Sequence, residues 1–242
     1  MKISLIDHTG KGMSSRYAAE LLIFTKSTRL QMSPDLFDDI SKKDDEWIRN
    51  EIDYMSKTIP SSWEFCNYTF LIEGCNRAFT HQLVRNRHGS YAQQTMRVLN
   101  VSGFGYTTPD SLGEILNADK TYEKCMSEIQ MAYDDLVEMG VPIEDSRGIL
   151  PTNIETNIIA SFNLRTCAEL VAKRSSPRTQ GMYRDFIEGI RSEILRVHPM
   201  FEPFLKNKKH DAASSLDQFI EDTVKEPSEK MRILKMVDLL RN

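Results

Sequence analysis

Segments with the period of an α-helix outnumber segments with the alternation of a β-strand in this chain, and the two kinds do not follow one another regularly. Strand-like alternation occurs in ISLIDH, residues 3–8, and in WEFCNYTFLIEG, residues 63–74. A doubly wound fold needs strands and helices in regular succession. We therefore predict an α+β protein that is rich in helix, with a small, mostly antiparallel sheet.

Helical periodicity covers most of the remaining chain, and the pattern indicates where the helices break. Residues 33–57 begin with Ser and Pro and have a candidate break near the lysines. Residues 90–106 are predicted to be extended or looped, and Ala78, Leu83 and Val84 are predicted to face inward. The predicted helices cover residues 15–28, 33–57, 76–87, 111–140, 155–174 and 178–197.

One domain spanning residues 1–242 is predicted, with residues from about 210 to 242 as a peripheral helical segment or tail. With a formal net charge of −4 the chain does not have the basic character of a protein that coats nucleic acid or anionic lipid. No apolar run reaches the roughly 18 residues of a membrane span.

The four cysteines form no CxxC pair and no zinc-type spacing, so we expect no metal site and a reducing, cytoplasmic setting.

The segment RNRHGSYAQQTMR, residues 85–97, concentrates positive charge in an acidic protein. Its arginines, Arg85, Arg87 and Arg97, offer planar forks that suit phosphates, and nearby glutamines offer amides that can bind a base or a flavin edge. The simpler alternative is a solvated helix end, where cations are favoured in any case. The segment alone does not decide between the two.

A second polar cluster lies in SFNLRTCAELVAKRSSPR, residues 161–178. On a helix Arg165 and Glu169 can touch, which by itself indicates only an exposed ion pair worth a few tenths of a kcal/mol. The surrounding leucine, valine, cysteine and alanine residues, however, predict a helix that is apolar over most of its circumference. Polar side chains on such a helix need specific partners.

These segments resemble the signatures of the flavin-dependent thymidylate synthases. The motif RHRxxSxNExSxR is matched by Arg85, Arg87, Ser90 and Arg97, and Thr95 keeps the hydroxyl of its second serine. The resemblance continues through the family's RxxLP motif at RGILP, residues 147–151, and its NxRSxxNFLxxRxxxxAQ motif at residues 163–180. Order and spacing hold from about residue 58 to 195.

The resemblance implies an activity: methylation of dUMP to dTMP, with methylenetetrahydrofolate as carbon source and NADPH to reduce a bound FAD. Such enzymes use no cysteine nucleophile. The family is a homotetramer with active sites where subunits meet, so arginine clusters from neighbouring chains could converge. Nucleic acid and membrane are not expected partners.

The resemblance also assigns roles to individual positions. Arg174 is the predicted catalytic residue, which would grip the uracil ring and favour its ionised form. FAD binding is assigned to Ser61, Arg85, Asn86, Arg87, Gln93, Asn163, Arg165 and Glu169. Nucleotide binding is assigned to Gln82, Arg85, Thr95, Met96, Arg97, Arg147 and Arg174.

Departures from the motifs leave alternatives open. The signature Asn-Glu pair is Ala92-Gln93, the histidine between the first two arginines is Asn86, a glycine is Met96, and an asparagine near the flavin is Glu169. One alternative is an enzyme that acts on a related pyrimidine deoxynucleotide such as dCMP, or that transfers a hydroxymethyl group. Another is a catalytically silent module that binds a nucleotide through the same arginines.

Overall fold

The computed structural model of the protein describes residues 1–29, 32–97, 101–174, 181–206, 216, 219–220 and 223–240. The chain forms two compact units. The first unit contains Met1–Ser4 and Phe70–Ser161, and the second contains Leu5–Thr69 and Phe162–Asn242. The single domain expected from the sequence stays a prediction.

Helices dominate, as the sequence predicted, around a small sheet. Within the described residues no helix is both long enough and apolar enough to cross a membrane. The helices are α1 (Tyr17–Lys26), α2 (Pro34–Ser41), α3 (Asp45–Thr58), α4 (Arg77–Leu83), α5 (Ala118–Glu138), α6 (Ile143–Ser146), α7 (Leu164–Arg174), α8 (Gly181–Val197) and α9 (Pro227–Leu240). The strands are β1 (Lys2–His8), β2 (Asn67–Asn76), β3 (Gly89–Gln93) and β4 (Glu155–Asn163).

The strands form one four-stranded sheet in the order β1-β2-β4-β3. The backbone N–H of Leu164, after the end of β4, donates to the carbonyl oxygen of Cys66, before the start of β2, over 2.8 Å. The N–H of Arg77, after the end of β2, donates to the carbonyl oxygen of Ile154, before the start of β4, over 3.2 Å. The end of each strand thus meets the start of the other, so the pair is antiparallel.

The predicted helix over residues 155–174 is wrong in its first half, because residues 155–163 form β4. Exposure alternates with a period of two along this strand, which is the mark of a strand with one buried face. Thr156, Ile158 and Phe162 are buried, whereas Glu155 and Asn157 are exposed. The β-branched residues Thr156, Ile158 and Ile159 favour a strand, and the apolar spacing that suggested a helix is genuine only from Leu164 onward.

The structure also gives the boundaries of the other predicted helices. The break expected near the lysines is confirmed: the Ser33 side chain accepts a hydrogen bond from the Leu36 N–H at the start of α2, and Asp44 does the same for Trp47 at the start of α3. The inward placement of Val84 is wrong, since α4 ends at Leu83 and Val84 is 41% exposed. Of the predicted C-terminal segment, α9 is described, and residues 207–215 lie outside the described residues.

The core of the second unit depends on aromatic and branched side chains from several helices. Helix α8 buries residues at spacings of three and four, which places them on one face, and it packs against α7. Each fully buried side chain of this size contributes about 1.5–3 kcal/mol. The buried residues of α8 are Tyr183, Phe186, Ile187, Ile190 and Ile194.

A buried histidine lies within this core. His198 is 1% exposed, its Nδ1 atom lies 2.8 Å from the Tyr68 hydroxyl, and its ring contacts the edge of His8 at a centroid distance of 5.0 Å. Burial, and secondarily the charge of His8, lowers the pKa of His198 to about 4, from an ordinary value near 6.5. His198 is therefore neutral in the folded protein at neutral pH.

We expect the free energy of unfolding to fall as the pH drops from about 6.5 towards 4. Over this range the unfolded chain protonates His198 and the folded chain does not, so acid favours unfolding, by up to roughly 2–3 kcal/mol. Denaturant titrations at pH 7 and pH 5 should show a smaller pH dependence in the His198→Gln variant. The control His88→Gln removes an exposed histidine and should keep the parent's dependence. An unchanged dependence in His198→Gln would contradict this assignment.

Candidate functional site

Helix α4 in the first unit begins directly after β2 and is fixed at its first turn. The Asn76 side chain accepts a hydrogen bond from the Phe79 N–H over 2.8 Å and donates one to the Thr107 hydroxyl over 2.6 Å. This asparagine caps the helix, and the Arg77 N–H bonded to Ile154 ties the same turn to the neighbouring strand. The RNRHGSYAQQTMR segment, residues 85–97, comes just after α4, so the capped first turn of this helix determines where the segment begins.

The loop between α4 and β3 is closed by its own side chains. The Asn86 amide donates to the Leu83 carbonyl oxygen over 2.7 Å, and the Tyr91 hydroxyl lies 2.7 Å from the carbonyl oxygen of Asn86 and 3.0 Å from that of Leu83. Asn86, which occupies the place of a histidine in the family motif, thus stabilises the loop. Its predicted contact with FAD stays a prediction.

Arg85 and Arg87 lie on this loop with exposed side chains. Among the residues that the structure describes, neither guanidinium group takes part in an ion pair or a hydrogen bond. Arginine at a helix end is commonly solvated, yet two adjacent guanidinium groups with no protein partner also offer their donors to an anionic ligand. The structure is compatible with the predicted ligand contacts of both residues.

Arg97 and Arg147 are brought together by one acidic residue. The Nε atom of Arg97 lies 2.9 Å from the Glu144 carboxylate, and the Nε atom of Arg147 donates to the Glu144 backbone carbonyl oxygen over 3.0 Å. Both arginines are exposed, so their pairing with Glu144 contributes little to stability. The sequence predicted these two arginines as phosphate ligands, and they do share one neighbourhood.

Arg77 is a third arginine of the same unit as Arg97 and Arg147, and no sequence motif indicated it as a candidate ligand. Burial, and after it the positive charge of Arg147, lowers the pKa of Arg77. One terminal nitrogen of Arg77 donates to the Gln94 carbonyl oxygen over 3.0 Å, while its Nε atom is buried with no hydrogen-bond partner in the described part of the chain. A cation in the first turn of a helix is electrostatically unfavourable, and that was the available signal. We call Arg77, Arg97 and Arg147 the arginine cluster.

Four further predicted ligand residues belong to the same unit. The Thr95 hydroxyl accepts the backbone N–H of Arg97 over 3.0 Å, so it orders the backbone that carries that arginine. The Gln93 amide lies between the hydroxyls of Thr80 and Thr156, at 3.1 and 3.4 Å. Gln82 and Met96 are partly buried, on α4 and after β3 respectively.

The predicted FAD ligand Ser61 lies in the second unit, on the turn Pro60–Phe65, with its side chain exposed. The Trp63 indole anchors this turn: its N–H donates to the Met55 carbonyl oxygen over 3.1 Å, and its ring contacts Phe204 at a centroid distance of 4.9 Å. The neighbouring Glu64 carboxylate lies 2.7 Å from Arg165 on α7. The turn and the helix are thus connected by an ion pair.

Along α7 the charged side chains form an exposed row. Arg165 lies 3.4 Å from Glu169, and Lys173 lies 3.1 Å from the same carboxylate. Most of the apolar residues of α7 are buried, as expected of a largely apolar helix, whereas Arg165, Glu169 and Lys173 have side chains 43–70% exposed. Although partial burial acts to raise the pKa of Glu169, hydrogen bonds and charges from Lys173 and Arg165 outweigh it and lower the pKa. Glu169 is therefore an ionised carboxylate.

Asn163 ends β4 and caps α7, since its side chain accepts the Thr166 N–H over 2.9 Å. Arg174 is the last residue of α7, and the predicted contacts of its side chain stay a prediction. Arg178 and the rest of residues 175–180 lie outside the described residues.

Cys66, Cys75 and Cys167 are buried free thiols. Burial raises the pKa of Cys66 to about 12 and that of Cys75 to about 11, and the pKa of the fully buried Cys167 is raised as well. These thiols are therefore not thiolate nucleophiles at neutral pH. In the part of the chain that the structure describes, no three His, Cys, Asp or Glu residues lie together as a metal site would require.

The protein thus has an α+β fold and several exposed arginines, of which Arg85 and Arg87 form no ion pair with a described residue and Arg97 pairs with Glu144. The family model described as thymidylate synthase complementing protein matches residues 4–200. The chain is 34% identical over 199 residues to the flavin-dependent thymidylate synthase of Geobacter sulfurreducens, covering 81% of this chain and 82% of that protein. It is 32% identical over 204 residues to the flavin-dependent thymidylate synthase of Sulfolobus acidocaldarius, covering 82% and 74%. The chain belongs to the flavin-dependent thymidylate synthase family, which confirms the resemblance found in its motifs.

The cap at Asn163 gives a test that separates a structural from a ligand-binding role. Asn163→Ala removes the cap and should lower the free energy of unfolding by about 1 kcal/mol, measured without ligand, whereas Asn163→Asp keeps an acceptor and should lower it much less. If Asn163 also contacts FAD, flavin affinity will fall in both variants beyond what the stability change explains. Equal stability of parent and Asn163→Ala would contradict the capping role.

Proposed function

We propose that this protein converts dUMP to dTMP, using methylenetetrahydrofolate as the carbon source and NADPH to reduce a bound FAD. The observation that carries the proposal is the arginine cluster within a chain that belongs to the family. The cluster supplies the groups that a nucleotide phosphate needs, and the chain offers further arginines for the cofactor.

The arginine cluster fits a phosphate in charge and in hydrogen-bonding capacity. Arg97 pairs with the exposed carboxylate of Glu144, which a phosphate can displace, and Arg147 donates to the Glu144 backbone carbonyl oxygen. The buried Nε atom of Arg77 has no partner in the described residues. A phosphate dianion supplies more negative charge than Glu144 and enough acceptors for all three arginines. We propose that the nucleotide phosphate binds here, with Thr95 and Gln82 at its edge.

The residues proposed for FAD have the chemistry that its phosphates and ring edge require. Arg85 and Arg87 present guanidinium donors that no described residue occupies. Ser61, Asn163, Arg165 and Glu169 lie in the second unit, on a turn and a helix connected by the Arg165–Glu64 ion pair. We propose that the two groups of ligands meet through assembly of a homotetramer whose active sites lie between subunits.

The proposed chemistry divides between cofactor and protein. FAD, when bound, supplies the hydride chemistry that completes the methyl group. The protein binds and orients the nucleotide through the arginine cluster, and Arg174 stabilises the negative charge of an ionised uracil ring, which makes C5 a better carbon nucleophile. The buried, protonated cysteines have no part in this scheme.

The proposal is tested by the product. The purified protein should carry or bind FAD and, with NADPH and methylenetetrahydrofolate, should form dTMP from dUMP and nothing from dCMP, with products identified by mass. A hydroxymethylated or cytosine product would replace the proposal with the related activity that the departures at positions 92, 93 and 96 left open. Nucleotide binding with no flavin binding and no product would indicate a silent binding module.

Loss of an arginine from the arginine cluster should weaken only that part of the dUMP affinity that comes from its phosphate. We expect Arg97→Ala and Arg77→Ala each to raise the Kd for dUMP about tenfold to a hundredfold, as for a lost charge-assisted hydrogen bond, while the weak affinity for deoxyuridine stays unchanged. Calorimetric titration measures both. The control Arg196→Ala removes an exposed arginine that is paired with Glu193 in the second unit and should leave both affinities alone. A parallel loss for dUMP and deoxyuridine would contradict a phosphate site.

A further inference from the structure

Two buried hydroxyl groups surround the Gln93 amide. Thr80 on α4 is 0% exposed, and Thr156 on β4 is 6% exposed on a strand face that is otherwise apolar. A buried hydroxyl needs a hydrogen-bond partner, because burying it without one costs about 1–3 kcal/mol. The Gln93 Nε2 atom lies 3.1 Å from the Thr80 oxygen and 3.4 Å from the Thr156 oxygen.

Counting protons fixes the orientation of this amide. The Thr80 hydroxyl donates its single proton to the Arg77 carbonyl oxygen over 3.1 Å, so it can only accept from Gln93. An amide turned the other way would place its carbonyl oxygen against the lone pairs of Thr80. With one N–H directed at each threonine, both amide protons are used, and Gln93 can offer a ligand only its carbonyl oxygen.

The backbone beside Gln93 is held from two sides. The Gln94 N–H donates to the Asn157 carbonyl oxygen over 2.9 Å, and the Gln94 carbonyl oxygen accepts a hydrogen bond from Arg77 over 3.0 Å. The Asn157 amide also donates to the Gln94 side-chain oxygen over 3.2 Å. The end of β3 therefore has little freedom to carry Gln93 away from the two threonines.

We propose that Thr80 and Thr156 are positioning residues that fix the Gln93 amide so that its carbonyl oxygen is the one group presented to a bound ligand, where it accepts the N–H of a cyclic imide. The inference rests on the proposed function, since that function brings imide-containing ligands to this segment. The flavin ring contains such an N–H, and so does the uracil base in its neutral form, which is the form that binds before Arg174 favours ionisation. Cytosine lacks it and has an acceptor nitrogen at the equivalent ring position, so a fixed carbonyl oxygen would disfavour it.

The first experiment tests the hydrogen bonds without ligand. In a ¹⁵N-labelled ligand-free sample, the side-chain NH₂ signals of Gln93, assigned by their loss in Gln93→Ala, should exchange slowly with solvent. Thr80→Val and Thr156→Val should each speed that exchange at least several-fold, and Thr80→Ser, which keeps the hydroxyl, should restore slow exchange. The control Thr166→Val alters another buried threonine, on α7, and should have no effect. Rapid exchange in the parent, or no change in either valine variant, would overturn the positioning role.

The second experiment identifies the imide. Parent and variants are titrated with FAD and N3-methyl-FAD, and with dUMP and N3-methyl-dUMP. We expect the parent to bind one of the two methylated ligands roughly tenfold more weakly than its unmethylated form. The ratio of these two dissociation constants should shrink several-fold in Thr80→Val, Thr156→Val and Gln93→Ala but not in Thr80→Ser. The pair that shows the effect identifies the ring that Gln93 contacts. Thermal melts confirm that the variants are folded.

The outcomes separate this inference from the proposed function. One outcome is that the parent binds FAD and dUMP, but the ratio of the dissociation constants for methylated and unmethylated ligand is the same in parent, Thr80→Val and Gln93→Ala, for FAD and for dUMP. In that case the imide contact is wrong and the proposed function stands. If the parent binds neither ligand, the proposed function and the imide contact both fail, and the exchange experiment still decides whether the threonines hold the amide.

Discussion

The structure depends on one local construction, a strand that ends in an asparagine and continues directly into a helix, and this construction occurs once in each unit. Asn76 ends β2 and caps α4, and Asn163 ends β4 and caps α7; in both cases the side chain accepts the N–H of the residue three positions later. In both cases the first N–H of the helix, that of Arg77 or Leu164, donates to a carbonyl oxygen next to the neighbouring strand. The antiparallel pairing of β2 with β4 therefore sets where both helices start.

Because each helix start is fixed, the predicted ligand residues that follow it are placed by short stretches of chain. Arg85 and Arg87 come within a few residues of the end of α4, and Arg165 and Glu169 lie on the first two turns of α7. The chain as a whole is acidic, and its field would not attract an anion from a distance. Any attraction for an anion must come from local groups, such as the guanidinium groups of Arg85 and Arg87, which have no described partner, and that of Arg97, which pairs with the exposed Glu144 carboxylate.

The sequence predicted the class of fold, its assignment of ligand residues stays a prediction, and its errors in the fold have physical causes. Motif spacing identified Arg97 and Arg147, which lie near one another. A motif does not indicate that a cation in the first turn of a helix is electrostatically unfavourable, so Arg77 was missed. Residues 155–163 were predicted as helix because Ile158, Ile159 and Phe162 satisfy a helical spacing over a short run, where period alone does not separate a buried strand from a helix.

The departures from the family motif are matched by the residues around them. Asn86 replaces a histidine, and its amide bonds to the Leu83 carbonyl oxygen within the loop that carries the arginines. Gln93 replaces a glutamate, and its amide is placed as a donor to two threonine oxygens, one of which has already given its proton to Arg77. A glutamate at position 93 would bring lone pairs towards lone pairs at Thr80 while the Thr80 hydroxyl donates to Arg77, so it could not replace the Gln93 hydrogen bond. The amide and its threonines form one unit, and the change at position 93 is only interpretable together with positions 80 and 156.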